Sequence, residues 1–209
     1  MQEINHHECS ITFLNSGITD DEMQKAVMLV DKANQSVEEY FGIAPSFHIL
    51  ICRGKSEMEY QIISRRDKEN ASTEPFQIVY DDTKFTAMTD YNLREIIIRM
   101  DVARFGHYLH EIIHSVIYRD YTKQLKEALA WYFTLDLTES CKYVRPSYPY
   151  WVDRIYLYPA KKLARIVGSE FLKDFATGRA LLYEDAFPLD VKELFQSEDA
   201  FYGNRTGYY

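Results

Sequence analysis

Two spacings of apolar residues run through this chain: every second position, which marks strands, and every third or fourth, which marks helices. Ser10 to Leu14 (SITFL) alternates and predicts a strand ended by Asn15-Ser16-Gly17. Met23, Ala26, Val27, Val30, Ala33, Val37, Tyr40 and Phe41 then recur at helical spacing. Thr19, with Glu22 three residues on, is a capping box that opens this helix, and Gly42 is placed to end it. After Pro45, Phe47, Ile49 and Ile51 share one face of a second strand, and His48 lies on the other face as a hydrogen-bonded structural histidine. Ser56 and Glu59 form a further capping box before a shorter helix that runs through Ser64.

The pattern lapses from Arg65 to Pro75 (RRDKENASTEP), which predicts an exposed loop. Strand signals return at Phe76 to Tyr80 and Phe85 to Thr89, on either side of a turn at Asp81-Asp82-Thr83, and again at Glu95 to Met100 (EIIIRM). A helix from Val102 to Tyr118 follows, with Asp101 as its N-cap. Its apolar stripe is Phe105, Leu109, Ile112, Ile113 and Val116, while His107, His110, Glu111 and His114 line another face. A second helix runs from about Gln124 to Thr138 on Leu125, Ala128, Leu129, Tyr132 and Leu135. Pro146, Pro149 and the run Tyr148-Pro149-Tyr150-Trp151 break the pattern. Short helices are then expected at Pro159 to Val167, Glu170 to Ala176 and Val191 to Gln196, with a loose tail FYGNRTGYY. This order predicts an α+β fold in which a mixed sheet packs against helices.

Composition narrows the possibilities. A chain of 209 residues holds one substantial domain or a domain with a small appendage, read here as a catalytic unit over 1–140 and a helical subdomain over 141–209 that completes its cleft. The hydrophobic share of 46% and the 17 Tyr, 12 Phe and 2 Trp can supply a core, so the chain is globular. A net charge of −8 argues against nucleic acid or an anionic membrane as the main partner, because both require clustered Lys and Arg. Cys9, Cys52 and Cys141 are an odd number without metal-like spacing and are expected as buried thiols. No apolar run approaches the roughly 18 residues of a membrane span. The start MQEINHHECS lacks the basic and apolar regions of a secretory signal, so the expected compartment is the cytoplasm, with a secreted form the alternative if a leader has been removed.

The chemistry concentrates in HEIIH. His110 and His114 are four residues apart, so a helix carries both imidazoles on one face, and Glu111 beside them can reach a water held near a shared metal. This is the H-E-x-x-H arrangement of zinc-dependent hydrolases. A catalytic zinc takes three protein ligands and leaves a place for water, so a third ligand is required. Asp120 stands six residues after His114, the offset of metzincin-type sites, but Ile117 occupies the position where those sites need Gly to turn the chain. Glu127 stands thirteen residues after His114, in the first turn of the next helix. Two helices folded back on each other would bring it to the histidines, since each lies about 5–6 Å from the connecting loop. A carboxylate there is also favoured by the helix dipole without any metal. Glu139 is a third candidate at the far end of that helix.

HEIIH followed by EALAWYF resembles the gluzincins, and within them the peptidase-MA-like group, whose glutamate helix often reads E-G-L-A-x-Y; Glu127, Ala128, Leu129, Ala130 and Tyr132 occupy those positions here. The likeness extends upstream through a strand, a long helix ending in YFGIAP, the strand HILIC and a strand just before the motif, covering roughly residues 10 to 140. The Glu follows the second His at a shorter interval than in thermolysin-like enzymes, and Trp131 replaces the Asp that supports a histidine there. The resemblance implies a zinc metallopeptidase: His110, His114 and Glu127 bind Zn²⁺, a metal-activated water attacks a peptide bond, and Glu111 is the general base. EIIIRM is then expected as the sheet edge that pairs with an extended peptide or protein substrate. Tyr148, Tyr150, Tyr156 and Tyr158 are candidate oxyanion donors, and His107 a candidate cleft-wall residue. The family of regulators that cleave phage repressors and DNA-damage transcription factors shares HExxH and an E-x-x-A-x-x-F helix, which Glu127, Ala130 and Phe133 also match. The alternative from another class is a binding or regulatory protein of zincin fold without catalysis.

Overall fold

The computed structural model describes residues 2–6, 9–14, 17–69, 86–90, 94–140, 152–182 and 187–195. Among these, β1 (Gln2–His6) pairs antiparallel with β2 (Cys9–Phe13). β2, β3 (Phe47–Cys52) and β5 (Glu95–Arg99) run parallel, and β4 (Ala87–Asp90) returns antiparallel to β5. The strand order is β1-β2-β3-β5-β4. Strand alternation sends Ile11, Phe13, Ile49, Ile51, Ile96 and Ile98 into the main core, shared with α1 (Asp20–Phe41) and α3 (Phe105–Val116). Leu50, Cys52 and Ile97 face the other way and meet Met58 and Ile62 of α2 (Lys55–Glu69).

Several expectations hold in detail. Thr19 caps α1: its N–H donates to Glu22 Oε2 at 2.8 Å, and Glu22 N–H donates back to Thr19 Oγ1 at 3.3 Å. Gly42 ends the helix in the left-handed region, φ 66°, where a Cβ is costly. His48 bonds through Nδ1 to the Ser10 hydroxyl on the neighbouring strand. Cys9 and Cys52 are buried thiols, and Cys9 Sγ donates to the Pro45 carbonyl at 3.2 Å. Cys141, the strand expected at Phe76 to Tyr80 and the tail fall outside the described residues.

Other expectations are corrected. EIIIRM is not an edge: β5 lies between β3 and β4, and Ile96, Ile97 and Ile98 are all buried. A strand covered on both faces needs such an unbroken apolar run. β4 is the outermost strand on that side among the described residues. The N-terminus adds a strand, β1, where no alternation predicted one. α2 continues through residues 65–69, which were expected in a loop. It opens at Lys55 without the Ser56–Glu59 box; instead Arg53 N–H donates to Glu57 Oε2 at 2.6 Å.

α3 starts at Phe105, later than expected, because Asp101 is engaged by Arg99 (Nη2 to Oδ2, 2.8 Å) and does not cap it. The start is held by Arg104 N–H donating to His107 Nδ1 at 2.9 Å. α3 stops at Val116, and Tyr118 N–H turns away to donate to the Ala176 carbonyl at 2.8 Å. The link 117–122 leads into α4 (Lys123–Ser140), which packs on α3. A π-helical turn, Asp153–Leu157, then continues into a small helical C-terminal subdomain: α5 (Tyr158–Val167), α6 (Ser169–Ala176), α7 (Leu189–Lys192) and a 3₁₀ turn, Glu193–Phe195. Leu163, Leu172, Phe175, Val191 and Leu194 join the core of the sheet-bearing part. No helix among the described residues is long and apolar enough to cross a membrane.

This subdomain grips the link between α3 and α4. Thr122 caps α4, accepting from Leu125 N–H at 3.2 Å, and its hydroxyl donates to the Leu194 carbonyl at 2.8 Å. Tyr121 stacks on Phe175, with centroids 4.8 Å apart, and its hydroxyl donates to the Phe175 carbonyl at 2.6 Å. Gly178, at φ 75°, lets the chain pass the Tyr118 ring: a Cβ there would come within 2.8 Å of Tyr118 Cδ2.

Candidate metal centre

α3 and α4 bring His110, His114 and Glu127 together. Helical spacing puts both Nε2 atoms on one side of α3, 3.2 Å apart. Glu127, in the opening turns of α4, faces them with Oε2 3.4 Å from His110 Nε2 and Oε1 3.5 Å from His114 Nε2. All three ligand atoms lie within 4.8 Å of one another, so the cluster can coordinate a divalent metal. The histidines are buried at 7% and 2% exposure, whereas the Glu127 side chain keeps 24%, so the cluster opens on the Glu127 side. Burial alone would raise the Glu127 pKa, but the two imidazoles and their hydrogen bonds overcome it and hold the carboxyl well below the usual range.

The support for His110 comes from α4. Thr134 is fully buried and donates its hydroxyl proton to the Ala130 carbonyl at 2.7 Å. Its oxygen can therefore only accept from His110 Nδ1, 3.4 Å away. A ring that carries its proton on Nδ1 meets this acceptor and leaves the Nε2 lone pair for a metal. Trp131 covers the ring from the side, centroid to centroid 4.4 Å. The position where thermolysin-like enzymes carry an Asp thus supplies packing, and a threonine one turn further along supplies the hydrogen bond.

Glu111 is buried beside the cluster, and its Oε2 accepts from Thr89 Oγ1 at 2.5 Å. Burial pushes its pKa up to about 7, with the Glu127 charge adding to the rise and His110 and the Thr89 bond opposing it. A carboxyl near neutrality can both take and return a proton.

The remaining candidates fall elsewhere. Asp120 is on the surface, its side chain 63% exposed and paired with Arg119 at 3.4 Å. Glu139 is exposed at the far end of α4. His107 serves as the start of α3, and burial lowers its pKa. Tyr158 is 57% exposed, Tyr156 packs in the cluster that contains Trp131, and Tyr148 and Tyr150 are outside the described residues. Thr89 and Thr134 carried no signal in the sequence, since each acts across elements distant along the chain.

No family model, curated protein or solved structure matches the chain. The site itself supplies the class: the His110-Glu111-x-x-His114 motif with Glu127 on the following helix matches the HExxH/gluzincin architecture of zinc-dependent hydrolases. The surrounding α+β fold, with the motif on α3, the glutamate on α4 and a small helical subdomain beyond, agrees with it.

Proposed function

We propose that this protein is a zinc metallopeptidase in which His110, His114 and Glu127 hold the ion and Glu111 is the general base. The observation that carries this reading is the convergence of the donors: the two Nε2 atoms stand 3.2 Å apart, with Glu127 Oε2 3.4 Å from His110 Nε2 and Glu127 Oε1 3.5 Å from His114 Nε2. Donors at zinc's bond lengths of 2.0–2.1 Å in tetrahedral array stand about 3.3 Å apart. Two imidazoles and one carboxylate suit zinc, whereas calcium and magnesium favour all-oxygen sites. When bound, zinc would acidify water and polarise a carbonyl in its remaining place. The chain's own part follows from its geometry. Thr134 and Trp131 keep His110 aimed, and Glu127 offsets positive charge. Glu111 takes the proton of the attacking water and delivers it to the leaving nitrogen as the C–N bond breaks.

A peptide or protein backbone is the substrate this arrangement suits. β4, and not β5, is the strand beside α3 that could pair with it. We assign the catalytic unit to 1–140 and cleft completion to 141–209; the hold of the C-terminal elements on the link 117–122 supports that division. Buried thiols at Cys9 and Cys52 suit the cytoplasm. Metal analysis together with hydrolysis of a peptide library, with and without chelator, tests the reading. Glu111→Gln is expected to keep stoichiometric zinc and lose roughly 10²–10⁴-fold in rate, and Glu127→Ala to lose the zinc. Normal zinc in Glu127→Ala, or hydrolysis indifferent to chelator, would overturn it.

A further inference from the structure

We propose that Thr89 is a positioning residue for Glu111, aiming the carboxylate from the strand along which substrate would lie; this rests on the metallopeptidase reading. The hydroxyl donates to Glu111 Oε2 at 2.5 Å and lies 3.5 Å from the Glu111 carbonyl oxygen. Fixing Oε2 leaves Oε1 to meet the attacking water.

The register of β4 explains why this residue matters more than an ordinary strand threonine. Alternation puts Ala87 against the main core, with Thr89 on the same face toward α3, and Met88 against the opposite cluster under α2. Arg99 N–H donates to the Thr86 carbonyl at 2.9 Å. The hydrogen-bonded pairs with β5 are therefore Thr86 with Arg99, Met88 with Ile97 and Asp90 with Glu95. Ala87 and Thr89 fall at the alternate pairs, opposite Ile98 and Ile96, so their N–H and C=O groups point away from β5. Thr89 thus has its side chain on the base and its main chain on the side where an extended peptide would add a strand. Pairing of substrate with β4 fixes the Thr89 backbone and, through the hydroxyl, the carboxylate.

A threonine chosen only for strand propensity predicts the opposite behaviour, because valine serves β-strands equally well. Steady-state hydrolysis of a fluorogenic peptide, with zinc measured on each protein, separates the two. Thr89→Val is expected to lower kcat by roughly 10–100-fold with little change in KM. Thr89→Ser, which restores the hydroxyl, is expected to recover kcat to within about 3-fold of wild type, with zinc content equal in all. Wild-type kcat in Thr89→Val, a serine variant as slow as the valine one, or a loss confined to KM or traced to missing zinc would overturn the proposal. A wild-type protein that cleaves nothing, or a Glu111→Gln variant as fast as wild type, would instead show that the peptidase reading has failed, and the role of Thr89 would fall with it.

Discussion

Replacing Thr134 by valine exchanges one hydroxyl for a methyl inside α4 and leaves the outline of the side chain unchanged. Both residues are β-branched, so the helix itself loses little. The bond to the Ala130 carbonyl is a minor loss, because that oxygen lies within α4 and keeps its helical environment. The acceptor for His110 Nδ1 is a different matter. Without it a buried N–H has no listener, which costs about 1–3 kcal/mol. The separation of 3.4 Å is long for a hydrogen bond, which places the loss near 1.4 kcal/mol, or roughly tenfold in an equilibrium constant.

That loss should be felt mainly by the ion. In the metal-free protein the imidazole can turn or shift its proton to escape the penalty, whereas a ligating ring must present Nε2 with the proton on Nδ1. The expected outcome is a zinc dissociation constant about tenfold weaker in Thr134→Val, within the 10–100-fold range typical of partners behind a metal ligand. Urea unfolding in EDTA should move by less than about 1 kcal/mol. Competition against a chromophoric chelator measures the first quantity. Affinity within about twofold of wild type, or an equal loss in Thr134→Ser, would refute the assignment of the hydroxyl as acceptor.

Two further outcomes concern the link between the helices. Thr122→Val removes the N-cap of α4 and the bond to Leu194 and should lower stability by about 1–2 kcal/mol in urea unfolding, while Thr122→Ser should retain most of it; an unchanged midpoint would contradict the role. Gly178→Ala should cost about 1–2 kcal/mol from its left-handed backbone together with the Tyr118 contact, and a double-mutant cycle with Tyr118→Ala should recover the contact's share; strictly additive losses would show that the ring is not the obstacle.

The parts of the fold that could be read from the sequence were those set by neighbours along the chain. Thr19 and Glu22 meet because they are three residues apart, and His110 and His114 share a face because they are four apart. Glu127 was reachable by the same logic extended across one short link. Where residues distant in the chain decide, the pattern was silent or misleading. Asp101 looks like a cap until Arg99 claims it. Residues 65–69 look like a loop because they are charged, although Arg, Lys and Glu are good helix formers. β1 has only Ile4 as an aliphatic residue and gains its identity by pairing with β2. The interior position of β5 was in fact readable: three consecutive isoleucines fit a strand covered on both faces, not an edge.

Thr122 is one atom's reach from two otherwise separate matters. Its hydroxyl oxygen starts the helix that carries Glu127, and its proton ties that start to Leu194, far along the chain. Were a divalent ion held by His110, His114 and Glu127, any effect of its binding on the docking of the C-terminal helices would be matched by an equal effect of their docking on its affinity, because such coupling is reciprocal.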